Sequence, residues 1–265
     1  CPPLGEGARR FVDWVAAYTL SAPGMVARMF LRAPAAFDPE PLLEGLRWTG
    51  GEPDRMTDAR ARVLELARDR LSWTRSGLAH AAGASLTVVD GLKAQGVLET
   101  VRIPPPPVVA APDPAYAGPQ LAPDQQAAAE TLREKAGGGF SVTLLDGVTG
   151  SGKTEVYFEA IAAAIRAGRQ VLVLVPEIAL TQAFLERFHD RFGAKPAEWH
   201  SDLAPRMRER VWRQVAEGRV RVVAGARSAL FLPFADLGLI VVDEEHDPAY
   251  KQEDRVFYNA RDMAV

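Results

Sequence analysis

Apolar positions along the chain repeat at two periods, and the places where the period changes divide it into regions. Phe11, Val12 and Val15, with Tyr18 or Thr19, recur at helical spacing and predict a helix over residues 9–20. The Pro-, Ala- and Gly-rich stretch that follows to residue 51 reads as irregular and holds no complete core. Thr57 and Asp58 are N-cap candidates for a helix reaching residue 70, with Val63, Leu64, Leu66 and Ala67 as its apolar face. Two short helical segments, 74–82 and 85–95, are separated at Gly83 and followed by a strand over 97–103. Helix, helix–turn–helix and strand is the order of a winged-helix domain. The second short helix carries only Lys93 beside Asp90, a poor set for reading a major groove, and a helical packing module without DNA contact shows the same pattern.

Beyond residue 120 the pattern changes. Residues 140–145 form a short apolar run rich in strand formers, and 155–166 carry Val156, Ile161 and Ile165 at helical spacing. Residues 170–176 and 237–242 are continuous apolar runs, as expected of strands buried on both faces of a parallel sheet. Residues 220–224 predict another strand, and 181–192 and 206–217 predict helices between them. Alternation of this kind implies an α/β fold built on a parallel sheet. Pro104 to Pro107, with Pro112, Pro114 and Pro119, forms an extended, semi-rigid linker between the two regions.

Composition narrows this only a little. The 265 residues, 48% hydrophobic and 25% charged, are those of an ordinary globular protein with room for more than one domain. The net charge of −3 gives no global nucleic-acid signature, yet between Thr181 and Arg227 ten Lys and Arg stand against six Asp and Glu. No apolar run approaches the length of a membrane span, and there is no signal-peptide pattern. A single cysteine leaves no room for a disulfide framework or a four-cysteine zinc site in the chain, and points to a reducing cytoplasm.

Chemistry concentrates at two places. Gly147, Val148, Thr149, Gly150, Ser151, Gly152, Lys153 and Thr154 match the phosphate-loop pattern at every fixed position, between a predicted strand and a predicted helix. Backbone N–H groups of such a loop cradle a triphosphate, Lys153 reaches its β- and γ-phosphates, and the Thr154 hydroxyl ligates Mg²⁺, so ATP and Mg²⁺ are the expected cofactors. The second place is Asp243-Glu244-Glu245-His246, which follows the buried run 237–242. Ligands of open α/β sheets bind at the carboxyl ends of the strands, where this acidic run would meet the loop. Asp243 is expected to hold Mg²⁺ and Glu244 to orient or deprotonate the attacking water. Further on, Tyr250, Phe257 and Tyr258 are interleaved with Lys251, Arg255 and Arg261, a mixture suited to stacking on bases and meeting phosphates of single-stranded DNA. Rings packed into the domain core are the other reading of that segment.

The D-E-x-H form of the acidic run resembles motif II of superfamily 2 helicases. Residues 175–181 and 225–231 are similar to the two loops with which such enzymes hold one DNA strand, and residues 121–125 place Gln125 where they contact adenine. Over 121–265 the chain resembles the primosomal protein N′ (PriA) family of bacterial replication-restart helicases. That resemblance implies a RecA-like first helicase lobe over 121–265, a Pro-rich linker over 104–120 and a winged-helix-like domain over 51–103. It makes 1–50 the remnant of an N-terminal, 3′-end-binding DNA domain plus connector. It further implies DNA contacts at Arg227, Ser228 and His200, an aromatic-rich loop that couples DNA binding to ATP hydrolysis, and 3′-to-5′ translocation. The implied partners are replication forks, single-stranded DNA, single-stranded DNA-binding protein, and primosome and helicase-loading proteins. By the same resemblance the chain is expected to be a fragment of a longer protein, with zinc bound only in the missing part and with little ATPase activity in isolation for want of a second lobe and its arginine finger. The alternatives are another superfamily 2 translocase, such as a type I restriction or RecG-like motor, and a DNA-binding loader scaffold. A small-molecule kinase would leave the acidic run and the basic–aromatic segment unexplained.

Overall fold

A computed structural model describes residues 4–265 except Arg70, Thr149 and residues 177–180, and only the backbone of Pro34 and Ala35. Cys1, Thr149 of the phosphate loop and the middle of the 175–181 run therefore lie outside the described residues. The chain forms two compact units, one made of the residues up to Asp38 together with Pro107–Val265, the other of Pro39–Pro106.

The first helices are α1 (Glu6–Tyr18) and α2 (Pro23–Phe30), the latter opened by a proline at its first turn, where a missing N–H costs nothing. Val12, Val15, Val26 and Phe30 join one core cluster with Val211, Trp212, Leu230 and Phe231. The Trp212 indole donates to the Phe30 carbonyl at 2.7 Å, and the Arg213 guanidinium donates to the Ala36 and Asp38 carbonyls. The expectation of a coreless region 1–50 thus resolves differently. Residues 4–38 complete the core of the phosphate-loop unit, and the remainder enters the other unit.

In that other unit β1 (Leu43–Trp48) pairs antiparallel with β3 (Leu98–Ile103) along its whole length and with β2 (Trp73–Thr74). Three helices lie between: α3 (Asp58–Ala67), α4 (Arg75–Ala81) and α5 (Leu86–Ala94). Thr57 caps α3 and Thr74 caps α4 by accepting from the third N–H of each turn. The sequence pattern marks no strand at β1 because its buried residues, Gly45 and Leu46, are adjacent instead of alternating; a side chain at Gly45 would collide with Ile103 across the ladder. On α5 the carboxylate of Asp90 is gripped by both arms of Arg75, 2.6 and 2.5 Å away, which holds it below the usual carboxylate range.

The larger unit continues with α6 (Pro123–Ala136), α7 (Lys153–Arg166), β4 (Gln170–Leu174), α8 (Gln182–Phe192), β5 (Ala197–Trp199) and α9 (Pro205–Ala216). After these come β6 (Val222–Gly225), β7 (Leu237–Val242), the short hairpin β8 (Lys251–Gln252) and β9 (Tyr258–Asn259), and α10 (Ala260–Ala264). The sheet is parallel throughout, in the order β5-β6-β4-β7. Strand β4 explains its continuous apolar run: Leu172 and Leu174 enter the core shared with α9 and the N-terminal helices, while Val171 and Val173 enter the opposite core against α7 and α8.

Two expectations fail here together. Residues 140–145 form no strand, and Phe140, Val142 and Leu144 are exposed. Strand β7, expected to be buried on both faces, is half-exposed along its length because among the described residues it pairs only with β4 and forms the edge of the sheet. Strand propensity in a six-residue run does not by itself create a ladder; without hydrogen-bonded neighbours an extended segment stays solvated.

Candidate nucleotide and DNA site

Helix α7 is capped at its N-terminus by Gly152, whose φ of +81° is a left-handed conformation that a side chain would strain; Gly150 has the same φ. A cap without a side chain leaves the first N–H groups of the helix open to a ligand, with the positive end of the helix dipole behind them. Space in the loop is equally restricted, since a Cβ on Gly147 would lie 2.8 Å from the Ser151 hydroxyl and one on Gly152 would strike the Gln125 amide. Gln125 braces the loop: its amide donates to the Ser151 carbonyl and its carbonyl accepts from the Ala122 N–H, both at 2.8 Å. The Lys153 ammonium folds over the loop and donates to the Gly147 and Val148 carbonyls.

One turn further on, the buried Tyr157 hydroxyl donates to Oδ2 of Asp243 at 2.9 Å, and the Thr154 side chain approaches the same phenol oxygen. Burial first, then the Asp243 charge, hold this phenol protonated well above the usual tyrosine range. Asp243 leaves β7 with its N–H on the Leu174 carbonyl and its Oδ1 accepting from the Glu244 N–H at 3.0 Å. Glu244 takes a left-handed turn, φ +47°, and points its exposed carboxylate toward His246, 3.7 Å away. Glu245 pairs with Arg261 at 2.9 Å.

The same strand end is tied to the aromatic-rich segment. The Tyr250 hydroxyl donates to the carbonyls of Leu174 and Asp243, 2.9 and 2.5 Å away. From the 3-10 turn Arg227–Phe231 the Arg227 guanidinium donates to the Ala249 and Lys251 carbonyls, both at 2.8 Å. Arg227 and Ser228 share with His200 and Tyr250 a cavity of about 340 Å³, which Arg32 and Arg208 also line.

The sequence profile of DEAD/DEAH box helicases matches residues 122–264. The chain belongs to the DEAD/DEAH box helicase family. Its relatives include proteins named replication restart protein PriA from Rickettsia typhi (49% identical over 147 residues, 56% of this chain and 22% of the relative) and Bacillus subtilis (45% over 146 residues, 55% and 18%). A third, from Haemophilus influenzae, is 51% identical over 127 residues, 48% of this chain and 17% of the relative. The chain spans about a fifth of the length of these relatives.

Within this helicase lobe the expected site residues fall into two groups. Gly147, Gly150, Ser151, Gly152, Lys153, Thr154, Asp243 and Glu244 lie on the loop, the first turn of α7 and the turn after β7, Gln125 reaches the loop from the first turn of α6, and Tyr157 joins α7 to the turn after β7. Among the expected DNA contacts, Arg227, Ser228 and His200 face one cavity. Tyr250 and Tyr258 do not offer their rings for stacking: both are buried, Tyr258 edge-on to Phe231 at 5.3 Å, and burial raises its pKa to about 12. Aromatic–basic interleaving does not reveal which rings the core will claim. Of the three rings Phe257 alone is exposed, at 64%, with Lys251 and Arg255 exposed on the same segment. Sequence reasoning missed Tyr157, although its place three residues after Thr154 on one helix face was a usable signal. Among the described residues no cluster of His, Cys, Asp and Glu has metal-site geometry, and no helix is long and apolar enough to cross a membrane.

Proposed function

We propose that this chain is the first motor lobe of an ATP-dependent DNA helicase of the replication-restart type. It binds Mg·ATP on the 147–154 loop and single-stranded DNA across the cavity of Arg227, Ser228 and His200. The observation that carries the reading is the Tyr157 hydroxyl between Thr154 and Asp243, which draws the phosphate loop and the acidic run into one site. The loop fits a triphosphate: left-handed glycines, positions at Gly147 and Gly152 where a Cβ would displace the Ser151 hydroxyl or the Gln125 amide, and uncapped N–H groups at the start of α7. Thr154 and Asp243 would hold Mg²⁺, which neutralises charge across the β- and γ-phosphates; Lys153 would share that charge, and Glu244 would orient or deprotonate water. Tyr250 and Arg227 supply the mechanical link, because one bonds the Asp243 carbonyl and the other holds the segment that carries Tyr250. Relatives named replication restart protein PriA support a role in replication restart; DNA forks as substrate, 3′-to-5′ translocation, and primosome-loading and single-stranded DNA-binding proteins as partners are part of the proposal. Hydrolysis by the 265-residue chain alone is expected to be slow, since related motors complete the site with an arginine finger worth roughly 10³–10⁵ in rate from outside this sheet.

The test is a titration with fluorescent ATP and Mg²⁺, with and without forked DNA, on the wild-type chain and on Lys153→Ala. The proposal expects binding that Lys153→Ala weakens at least tenfold and that DNA alters; nucleotide and DNA binding that ignore each other would refute it.

A further inference from the structure

The cavity lined by Arg227 and Ser228 continues into a second one, of about 690 Å³, lined by Arg28, Leu31, Arg255 and Val256; Arg32 and Gln252 line both. Five arginines therefore follow one another along two adjoining cavities: Arg208 and Arg227 on the first, Arg32 between, Arg28 and Arg255 on the second. Two of them, Arg28 and Arg32, come from the N-terminal segment, outside the family match at 122–264. We infer that α2 and the turn after it form part of the DNA path, with Arg28 and Arg32 binding consecutive phosphates of a single strand that leaves the Arg227 cavity along the aromatic-rich segment. This rests on the DNA reading of the Arg227 cavity.

Four observations carry it. Among the described residues no carboxylate lines the first cavity and Asp254 alone lines the second, paired at 3.7 Å with Arg255 where both are 80% exposed. Arg28 and Arg32 are exposed and have no ion-pair partner among the described residues, so their charges are not spent within the fold. The position of Arg32 is nonetheless fixed, because the Trp212 indole holds the Phe30 carbonyl two residues before it and Ala33 is buried one residue after. Arg208, across the first cavity, is set over the Trp199 ring and donates to the carbonyls of His200 and Ser201, which leaves a guanidinium edge of fixed direction. Arginines in defined places along a groove, beside an exposed ring at Phe257, are what a sequence-independent single-strand site requires. A merely solvated basic face would carry its charges beside acidic partners.

The experiment is fluorescence anisotropy of the full chain with a labelled oligothymidylate over a range of salt concentrations. Arg28→Ala/Arg32→Ala, Arg28→Gln/Arg32→Gln (which keeps more of the packed stem) and Arg227→Ala are compared with wild type. Counterion release predicts that each lost phosphate contact lowers the slope of log K against log salt by about 0.7, and affinity by about fivefold at 0.1 M salt. Both double variants should lose about 1.4 from the slope and about 25-fold in affinity while binding fluorescent ATP normally. Wild-type slope and affinity in the double variants, with binding lost in Arg227→Ala, would overturn the inference and leave the DNA reading standing. No loss in any variant would overturn both.

Discussion

The Tyr157 hydroxyl donates to Oδ2 of Asp243 across 2.9 Å, from a helix that starts in the phosphate loop to a strand end that carries the acidic run. The bond presets one carboxylate oxygen, and the Glu244 N–H presets the other. Tyr157→Phe keeps the ring packed against Phe158 and removes only the oxygen. Partners that orient a metal ligand typically contribute 10–100-fold to metal affinity. The variant should therefore need about tenfold more Mg²⁺ for half-maximal ATP binding, while losing about 1 kcal/mol of stability for the missing hydrogen bond. A magnesium titration of nucleotide binding, read beside a denaturant melt, checks both. An unchanged magnesium requirement would reduce Tyr157 to a packing residue.

Gly152 sets the loop by its left-handed φ and by its closeness to Gln125. Gly152→Ala adds a Cβ that strains the backbone by about 1–2 kcal/mol and displaces the Gln125 amide from the Ser151 carbonyl. The expected outcome is a lower melting temperature with weakened ATP binding. Gly139→Ala, where the added atom meets nothing and φ is ordinary, should alter neither. Thermal melts with and without nucleotide separate the two.

These two residues show why the site was only partly legible in the sequence. Gly152 belongs to a local pattern whose spacing encodes its own geometry, and so do the apolar run of β4 and the acidic turn after β7. Tyr157 and Tyr250 act across the sheet, and nothing local marks their partners. The same holds for the fold. Helix α7 and strand β4 follow from periodicity, but α2 is only eight residues long and β5 three, too short for a period to declare itself. The run 140–145 has strand propensity without a pairing neighbour, and β1 pairs along its whole length despite lacking alternation. Short elements take their identity from the surfaces they join, as α2 does on Trp212.

Arg227 holds the aromatic-rich segment by two backbone carbonyls, whereas Arg255 and Phe257 stand exposed on it. Arg227→Ala should have a double effect: weaker single-strand binding, and faster proteolysis within residues 251–257 as the segment loosens. Phe257→Ala should weaken binding by about 1–3 kcal/mol, the worth of one stacked base, without changing the proteolytic rate. Limited proteolysis alongside anisotropy distinguishes a clamp from a contact. Equal proteolysis in the two variants would show that the carbonyl bonds do not hold the segment.

Burial also makes the fold sensitive to alkali, through phenols kept protonated. The Tyr258 pKa rises from 10.0 to about 12, chiefly by burial, while Arg227 and Arg32 pull it partly back. In the unfolded chain this phenol ionises near its ordinary value, so below about pH 10 both states hold the proton and the packed ring contributes fully. Between about pH 10 and 12 the unfolded state loses its proton while the folded state keeps it, and stability falls; above about 12 both are ionised and the contribution is gone. Two units correspond to roughly 2–3 kcal/mol at the far end of that window. Tyr258→Phe removes this one site while Tyr157 and Tyr250, whose phenols are also raised, retain theirs. The variant should therefore lose less stability than wild type between pH 10 and 12 in urea melts. An identical slope in the two proteins would mean that the Tyr258 ring is solvated in solution, restoring it as a candidate for stacking on DNA.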